Sequence, residues 1–239
     1  MKRNSASIPL HVYAIVVLLL FTVTFASNQA VTVLSQSMPV APKHCIIIDA
    51  GHGGVDGGAT SCTGVLESQL NLEIALRLND LCHLLGLNTH MIRTTDTSVY
   101  TEGTTIAQKK ISDLKERVRI VNGMDNAILV SIHQNYFSQS EYWGAQVFHC
   151  NNESSKAFAR EMQTQLVSAL NQGSNRKAKP ASGVYLMEHI QRPGILIECG
   201  FLSNPKEEAR LRSNEYQKQL CAVISTVCSQ FLQQDGSLS

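Results

Sequence analysis

Three apolar runs in this chain end in residues able to hold a metal ion or move a proton. Ile46-Ile47-Ile48-Asp49-Ala50-Gly51 leads to His52, Ile128-Leu129-Val130-Ser131-Ile132 leads to His133, and Ile195-Leu196-Ile197 leads to Glu198. A fourth polar group, Glu67, stands where the next helical pattern begins. Two imidazoles and one carboxylate are the protein share of a catalytic zinc site, with one position left for water. His52, Glu67 and His133 are therefore the expected Zn2+ ligands. Glu198 is the expected second carboxylate outside the metal's shell, taking a proton from the attacking water and passing it to a leaving nitrogen. The chemistry is amide hydrolysis.

Taken singly, each residue has a plainer explanation. A histidine at a strand end is commonly a hydrogen-bonded, partly buried side chain. Glu67 suits the positive end of a helix, and Glu198 could pair with Arg192. Convergence changes the balance, because a carboxylate after an apolar triplet is costly to bury unless it is paired or binds metal. The other histidines, His44, His83, His90, His149 and His189, lack that setting and are read as structural.

The elements that must position these groups follow from periodicity. Strands are expected at His44–Asp49, Asn88–Arg93, Ala127–Ile132, Ala145–His149 and Gly194–Ile197. Continuous apolar runs of this kind mark strands buried on both faces. Helices are expected after Glu67, through Leu70, Ile74, Leu78, Leu81 and Leu85 to the stop at Gly86, and at Asp113–Asn122, Glu153–Gln172 and Glu215–Leu232. Alternating strands and helices predict a single α/β domain with a twisted, mostly parallel sheet flanked by helices on both faces. Ligands of such sheets bind beyond the carboxyl ends of the strands. Thr94–Ser112 and Gly173–Gly183 show no period and are expected to be loops bordering a cleft.

The chain has 239 residues, 44% of them hydrophobic, and a formal net charge of +1, enough apolar material for a full core. No clustered basic surface stands out, so no nucleic acid partner is expected. From Asn4 to Pro42 no charged residue occurs. Lys2 and Arg3 precede an apolar run from Ile8 to Ala26, long enough to cross a hydrocarbon core of about 30 Å. The basic residues should stay cytoplasmic, so the following domain is expected to be exported and tied to the membrane through this segment. Residues 1–26 are read as a signal-anchor or signal peptide, 27–42 as a linker, 43–232 as the catalytic domain and 233–239 as a C-terminal tail. Thr24-Phe25-Ala26 is a poor cleavage site, which favours the anchor. The seven cysteines are odd in number and include no C-x-x-C pair, so they form neither a disulfide framework nor a zinc ribbon. Five lie in or beside apolar runs and read as small core residues. Cys62 and Cys150 lie in more polar stretches, and their pairing is left open.

Four ordered motifs resemble one family. They are Ile48-Asp49-Ala50-Gly51-His52-Gly53-Gly54, Glu67 with Asn71-Leu72, Ser131-Ile132-His133-Gln134-Asn135, and Glu198-Cys199-Gly200-Phe201-Leu202-Ser203-Asn204. Together they look like the zinc-dependent N-acetylmuramoyl-L-alanine amidases, over about residues 43–232. The resemblance implies zinc on His52, Glu67 and His133, with Glu198 as catalytic glutamate. It implies peptidoglycan as substrate, cut between the lactyl group of N-acetylmuramic acid and L-alanine. Gln134 and Cys199 depart from the small residues common at those places, while Arg117 and Asn122 fit the pattern as supports. The short N-terminal segment, the lack of wall-binding repeats and the stretch Gln108–Val118 resemble the germination-specific, spore-cortex subgroup. That narrower match implies muramic-δ-lactam formation with a later deacetylase and, in some members, an activating lipoprotein partner. The competing readings are a zinc carboxypeptidase or deacetylase and a catalytically silent wall-binding or regulatory module. A silent module should lack a ligand or base, and none is missing.

Overall fold

A computed structural model describes residues 44–235. The N-terminal membrane segment and linker of the sequence reading lie outside these residues. Among the described residues no helix is long and apolar enough to cross a membrane.

The elements in chain order are β1 (Cys45–Ala50), α1 (Glu67–Leu84), β2 (Asn88–Met91), α2 (Ile106–Asn122), β3 (Ala127–Asn135) and β4 (Gln146–His149), then α3 (Glu153–Leu170), β5 (Lys179–Pro180), α4 (Tyr185–His189), β6 (Gly194–Phe201), α5 (Pro205–Leu211) and α6 (Asn214–Asp235). The six strands form one sheet in the order β2-β1-β3-β6-β4-β5. β1 pairs parallel with β2 and β3, and β3 pairs parallel with β6, whereas β4 runs antiparallel to β6. The mostly parallel α/β architecture expected from the alternation is present.

Strand alternation divides the apolar runs between two cores. Ile46, Ile48, Ile128, Val130, Ile195 and Ile197 face one side, where they meet α1, α3 and α6 through Ile74, Leu78, Phe158, Met162, Leu220 and Ile224. Ile47, Leu129 and Leu196 face the other, against Val121 of α2 and Leu186 of α4. Because both faces are covered, the open place for chemistry is the edge formed by the carboxyl ends of β1, β3 and β6.

Several expectations need correction. α2 begins at Ile106 rather than Asp113, so the last seven residues of the stretch read as a loop are helix. Its start is a reciprocal cap, in which the Thr105 side chain accepts from the Gln108 N–H and the Gln108 side chain accepts from the Thr105 N–H. The short strand β5 interrupts the second stretch read as a loop. β2 stops at Met91, and β3 and β6 run past their apolar cores to Asn135 and Phe201, because ladder hydrogen bonds and not apolarity set a strand's end. α6 continues to Asp235, three residues into the expected tail. α4 and α5 were not expected. All seven cysteines are free, with Cys62 exposed, and Cys150 is buried instead of polar in setting.

Candidate metal centre

At the carboxyl end of β1 the chain leaves the sheet through a turn in which His52 takes a left-handed conformation, φ 62°. Such a conformation costs of order 1–3 kcal/mol in a residue with a side chain and persists only where its surroundings enforce it. Two buried arginines do so. Arg117 of α2 donates to the carbonyls of Ala50 at 3.1 Å and His52 at 2.8 Å, and to Asp49 and Asp113. Arg93 donates to the carbonyls of Ala50 at 2.8 Å and Gly51 at 3.0 Å, and also to Ser68 at the start of α1. Ser131 on β3 donates to the second Asp49 oxygen at 2.6 Å. Burial alone would raise the Asp49 pKa, but the Arg117 guanidinium, His133 and the Ser131 hydroxyl together hold it below the ordinary carboxylate value. Removing one member of a buried ion pair strands the other charge. Arg117→Ala is therefore expected to destabilise the domain by about 3–5 kcal/mol, read as a lowered urea midpoint, whereas a surface control such as Arg119→Ala should move it little.

Glu67 opens α1, whose first turn has no side-chain cap. The loop before it supplies the missing partners: the Glu67 N–H donates to Ala59 at 2.8 Å and the Ser68 N–H to Gly57 at 3.1 Å. The Glu67 carboxylate turns back over this loop. Its Oε2 accepts from the Ala59 N–H at 2.9 Å, and its Oε1 accepts from the Gln134 N–H at 3.2 Å and Asn71 Nδ2 at 3.4 Å. That oxygen also lies 3.0 Å from His133 Nδ1 and 3.2 Å from His52 Nε2. One metal-binding atom from each of His52, Glu67 and His133 lies within 4.8 Å of the others. Asp56 accepts from His52 Nδ1 at 2.8 Å, which fixes the ring and leaves Nε2 facing the cluster. Lys110, on the early turns of α2, pairs with the other Asp56 oxygen at 2.7 Å.

The electrostatics are those of a site that wants a cation. Burial would lower the His52 pKa, but Glu67 and Asp56 push it up to about 9. Burial would raise the Glu67 carboxyl, yet the two imidazoles hold it well below the usual range. Three nitrogen and oxygen donors converge on one point, and among the described residues no lysine or arginine pairs with Glu67. The donor set fits zinc.

Glu198 faces the same point from β6, where it is the register partner of His133. Its Oε2 is buried and has no hydrogen-bond partner among the described residues. Burial, helped by the nearby Glu67 charge, pushes its pKa up to about 7 against the pull of both imidazoles. Arg192 does not pair with it but with Asp125, at 2.6 Å. All four residues singled out by sequence are thus brought together. Asp56, Lys110 and Arg93 were missed; the only signal for Asp56 was its place four residues after His52.

Two glycines make room. A Cβ on Gly51 would lie 2.2 Å from the His133 ring, and one on Gly58, at φ 67°, would lie 2.6 Å from Glu67 Oε2. The Gly51 backbone is not left-handed, so the clash with His133 is the main burden of a side chain there. Gly51→Ala should fold while displacing that imidazole, weakening zinc about 10–100-fold in a competition titration with a chelator. Wild-type affinity would show that the ring can hold metal elsewhere.

Comparison with known proteins gives the family. The sequence model of a family described as N-acetylmuramoyl-L-alanine amidase matches residues 46–228. The germination-specific N-acetylmuramoyl-L-alanine amidase of Bacillus subtilis (strain 168) is 36% identical over 212 residues, covering 88% of this chain and 87% of the relative. The CwlD amidase from Clostridioides difficile, solved in complex with the GerS lipoprotein, superposes with a TM-score of 0.76 at 36% identity, over 80% of this chain and 99% of that one. A second N-acetylmuramoyl-L-alanine amidase, from Clostridium difficile 630, gives 0.69 at 29% identity, over 80% and 97%. With its fold and most of its length matched, the chain belongs to the N-acetylmuramoyl-L-alanine amidase family.

Proposed function

We propose that this protein is an exported, zinc-dependent N-acetylmuramoyl-L-alanine amidase acting on spore-cortex peptidoglycan, with residues 43–232 as its catalytic domain. His52, Glu67 and His133 would hold the metal, and Glu198 is the catalytic acid and base. Zinc in that place would supply Lewis-acid polarisation of the scissile carbonyl and acidify a water. The observation that carries the reading is the Glu198 carboxyl, with one oxygen buried and unpartnered opposite His133.

Glu198 takes a proton from water as the new C–O bond forms at the lactyl carbonyl. It returns that proton to the L-alanine nitrogen as the C–N bond breaks, leaving a lactyl carboxylate and a free amine. A pKa raised toward neutrality suits a group that must both accept and give a proton. Asp56 holds the His52 ring, while Arg93 and Arg117 hold the backbone beneath it. Asn71 donates to the Gly51 carbonyl at 3.1 Å and accepts from Gln134 Nε2 at 3.1 Å, tying α1 to β1 and β3.

The cortex assignment draws on the germination-specific relative, and the complex of CwlD with GerS supports a lipoprotein partner for this chain too. Export and membrane attachment rest on the sequence of residues 1–26. Mass spectrometry of products from purified cortex and vegetative wall tests the reading. Intact stem peptides with a free L-alanine amine, released preferentially from cortex, are the expected result. Release of D-alanine or acetate instead would assign the site to a carboxypeptidase or a deacetylase.

A further inference from the structure

The loop that leaves β3 two residues after His133 carries an aromatic cluster that the proton chemistry does not use. Tyr136, Phe137, Tyr142 and Trp143 are each 40–53% exposed. Exposed aromatics gathered in one place mark a binding surface more often than scattered ones do. The cluster is tied in place by ring contacts and hydrogen bonds. Phe137 meets Tyr142 edge to face at 5.0 Å, and Tyr142 stacks on Phe201 at 6.0 Å. The Arg176 guanidinium lies 4.9 Å over the Phe201 ring and donates to the Trp143 carbonyl at 3.1 Å. Asn204 donates to the Tyr142 carbonyl at 3.1 Å, and the Phe137 N–H donates to Ser203 at 3.2 Å. The aromatic loop is thereby fastened to the end of β6, the strand that carries Glu198.

Its distance from the reacting centre follows from register. Phe201 pairs with Asn135, two residues beyond His133, a step of about 7 Å along β3. A cavity of about 630 Å³, within the usual range for ligands, adjoins the cluster. Its walls include Glu141, Tyr142, Trp143, Gln146, Asn175 and Arg176. Flat aromatic faces beside amide, carboxylate and guanidinium groups match the surface of a pyranose, which has apolar C–H faces and a rim of hydroxyls. The bond cleaved by this family is joined to such a ring through the short lactyl group, and in the wall that ring is one unit of a polymer.

We propose that Phe137, Tyr142 and Trp143 form a sugar-stacking subsite that holds the glycan strand beside the scissile bond. It rests on the peptidoglycan reading above and adds the part of the substrate that gives purchase. The contacts belong to the saccharide and not to the stem peptide, so the subsite favours amides on long glycan strands over those on a single muramic acid.

Trp143 is the chain's one tryptophan, so its emission reports on the subsite without turnover. Titrating the full-length protein with a tetrasaccharide of β-1,4-linked N-acetylglucosamine should produce a saturable change in emission, and the free stem peptide should produce none. Phe137→Ala, at an exposed position, should weaken that binding about tenfold with an unchanged circular dichroism spectrum. The same substitution should shift the ratio of KM for long glycan strands to KM for a muramoyl dipeptide by a similar factor. A flat titration with the tetrasaccharide, or an unaltered KM ratio, overturns the subsite. So does a Phe137→Ala protein that keeps sugar affinity but loses binding to a lipoprotein partner, which would make the cluster a protein-docking face. Sugar binding by a chain that hydrolyses no muropeptide would overturn the amidase reading and leave the subsite standing.

Discussion

Replacing Glu198 with glutamine is expected to lower turnover of muropeptide by about 10²–10⁴-fold while zinc content stays at the wild-type level. Glutamine keeps the shape of the side chain but cannot take the water's proton. The fold should tolerate it, because the Oε2 replaced already lacks a partner and the carboxyl is already pushed toward neutrality by burial. The paired measurements are elemental analysis and the initial rate of free-amine release. A variant hydrolysing at close to the wild-type rate would remove Glu198 from the mechanism. A variant that loses its metal as well would make Glu198 a ligand instead.

The second large effect is expected at His133. Truncation to alanine leaves His52 and Glu67 as a two-donor remnant and takes away one of the two imidazoles that keep Glu67 ionised. Zinc should be lost together with activity. A chelator should bring the wild-type protein to the same state, and added zinc should rescue the wild type alone. Stability offers an independent readout, since a ligand that binds only the folded state stabilises by about 4 kcal/mol at a thousandfold excess over its Kd. Zinc should therefore raise the melting temperature of the wild-type protein and leave that of His133→Ala unmoved. Full zinc occupancy in the variant would contradict the ligand assignment.

Both predictions concern residues that were legible before any coordinates, because each follows a run of apolar residues. Burying such a run dictates a strand, and a strand's end in a parallel sheet is where polar groups can gather. Other features are equally legible in the sequence. The cap of α2 is written as Thr105 and Gln108, and the start of α5 is written as Asn204 followed by Pro205 and two glutamates. α4, with five residues, is too short to show a period.

What the amino-acid order settled by itself was the alternation of strands and helices, the apolar identity of both sheet faces, and the four side chains at one edge. These are local properties, carried by burial patterns within one element. Tertiary structure alone decided that β4 runs against its neighbour, that Asp56 and Lys110 brace His52, and that Arg93 and Arg117 lock the turn beneath it. It alone fastened the aromatic loop to the end of β6. Apart from the Asp56–His52 pair, four residues apart, each of these joins residues distant in the chain through hydrogen bonds, charge or ring contact, and no short window of sequence contains both partners.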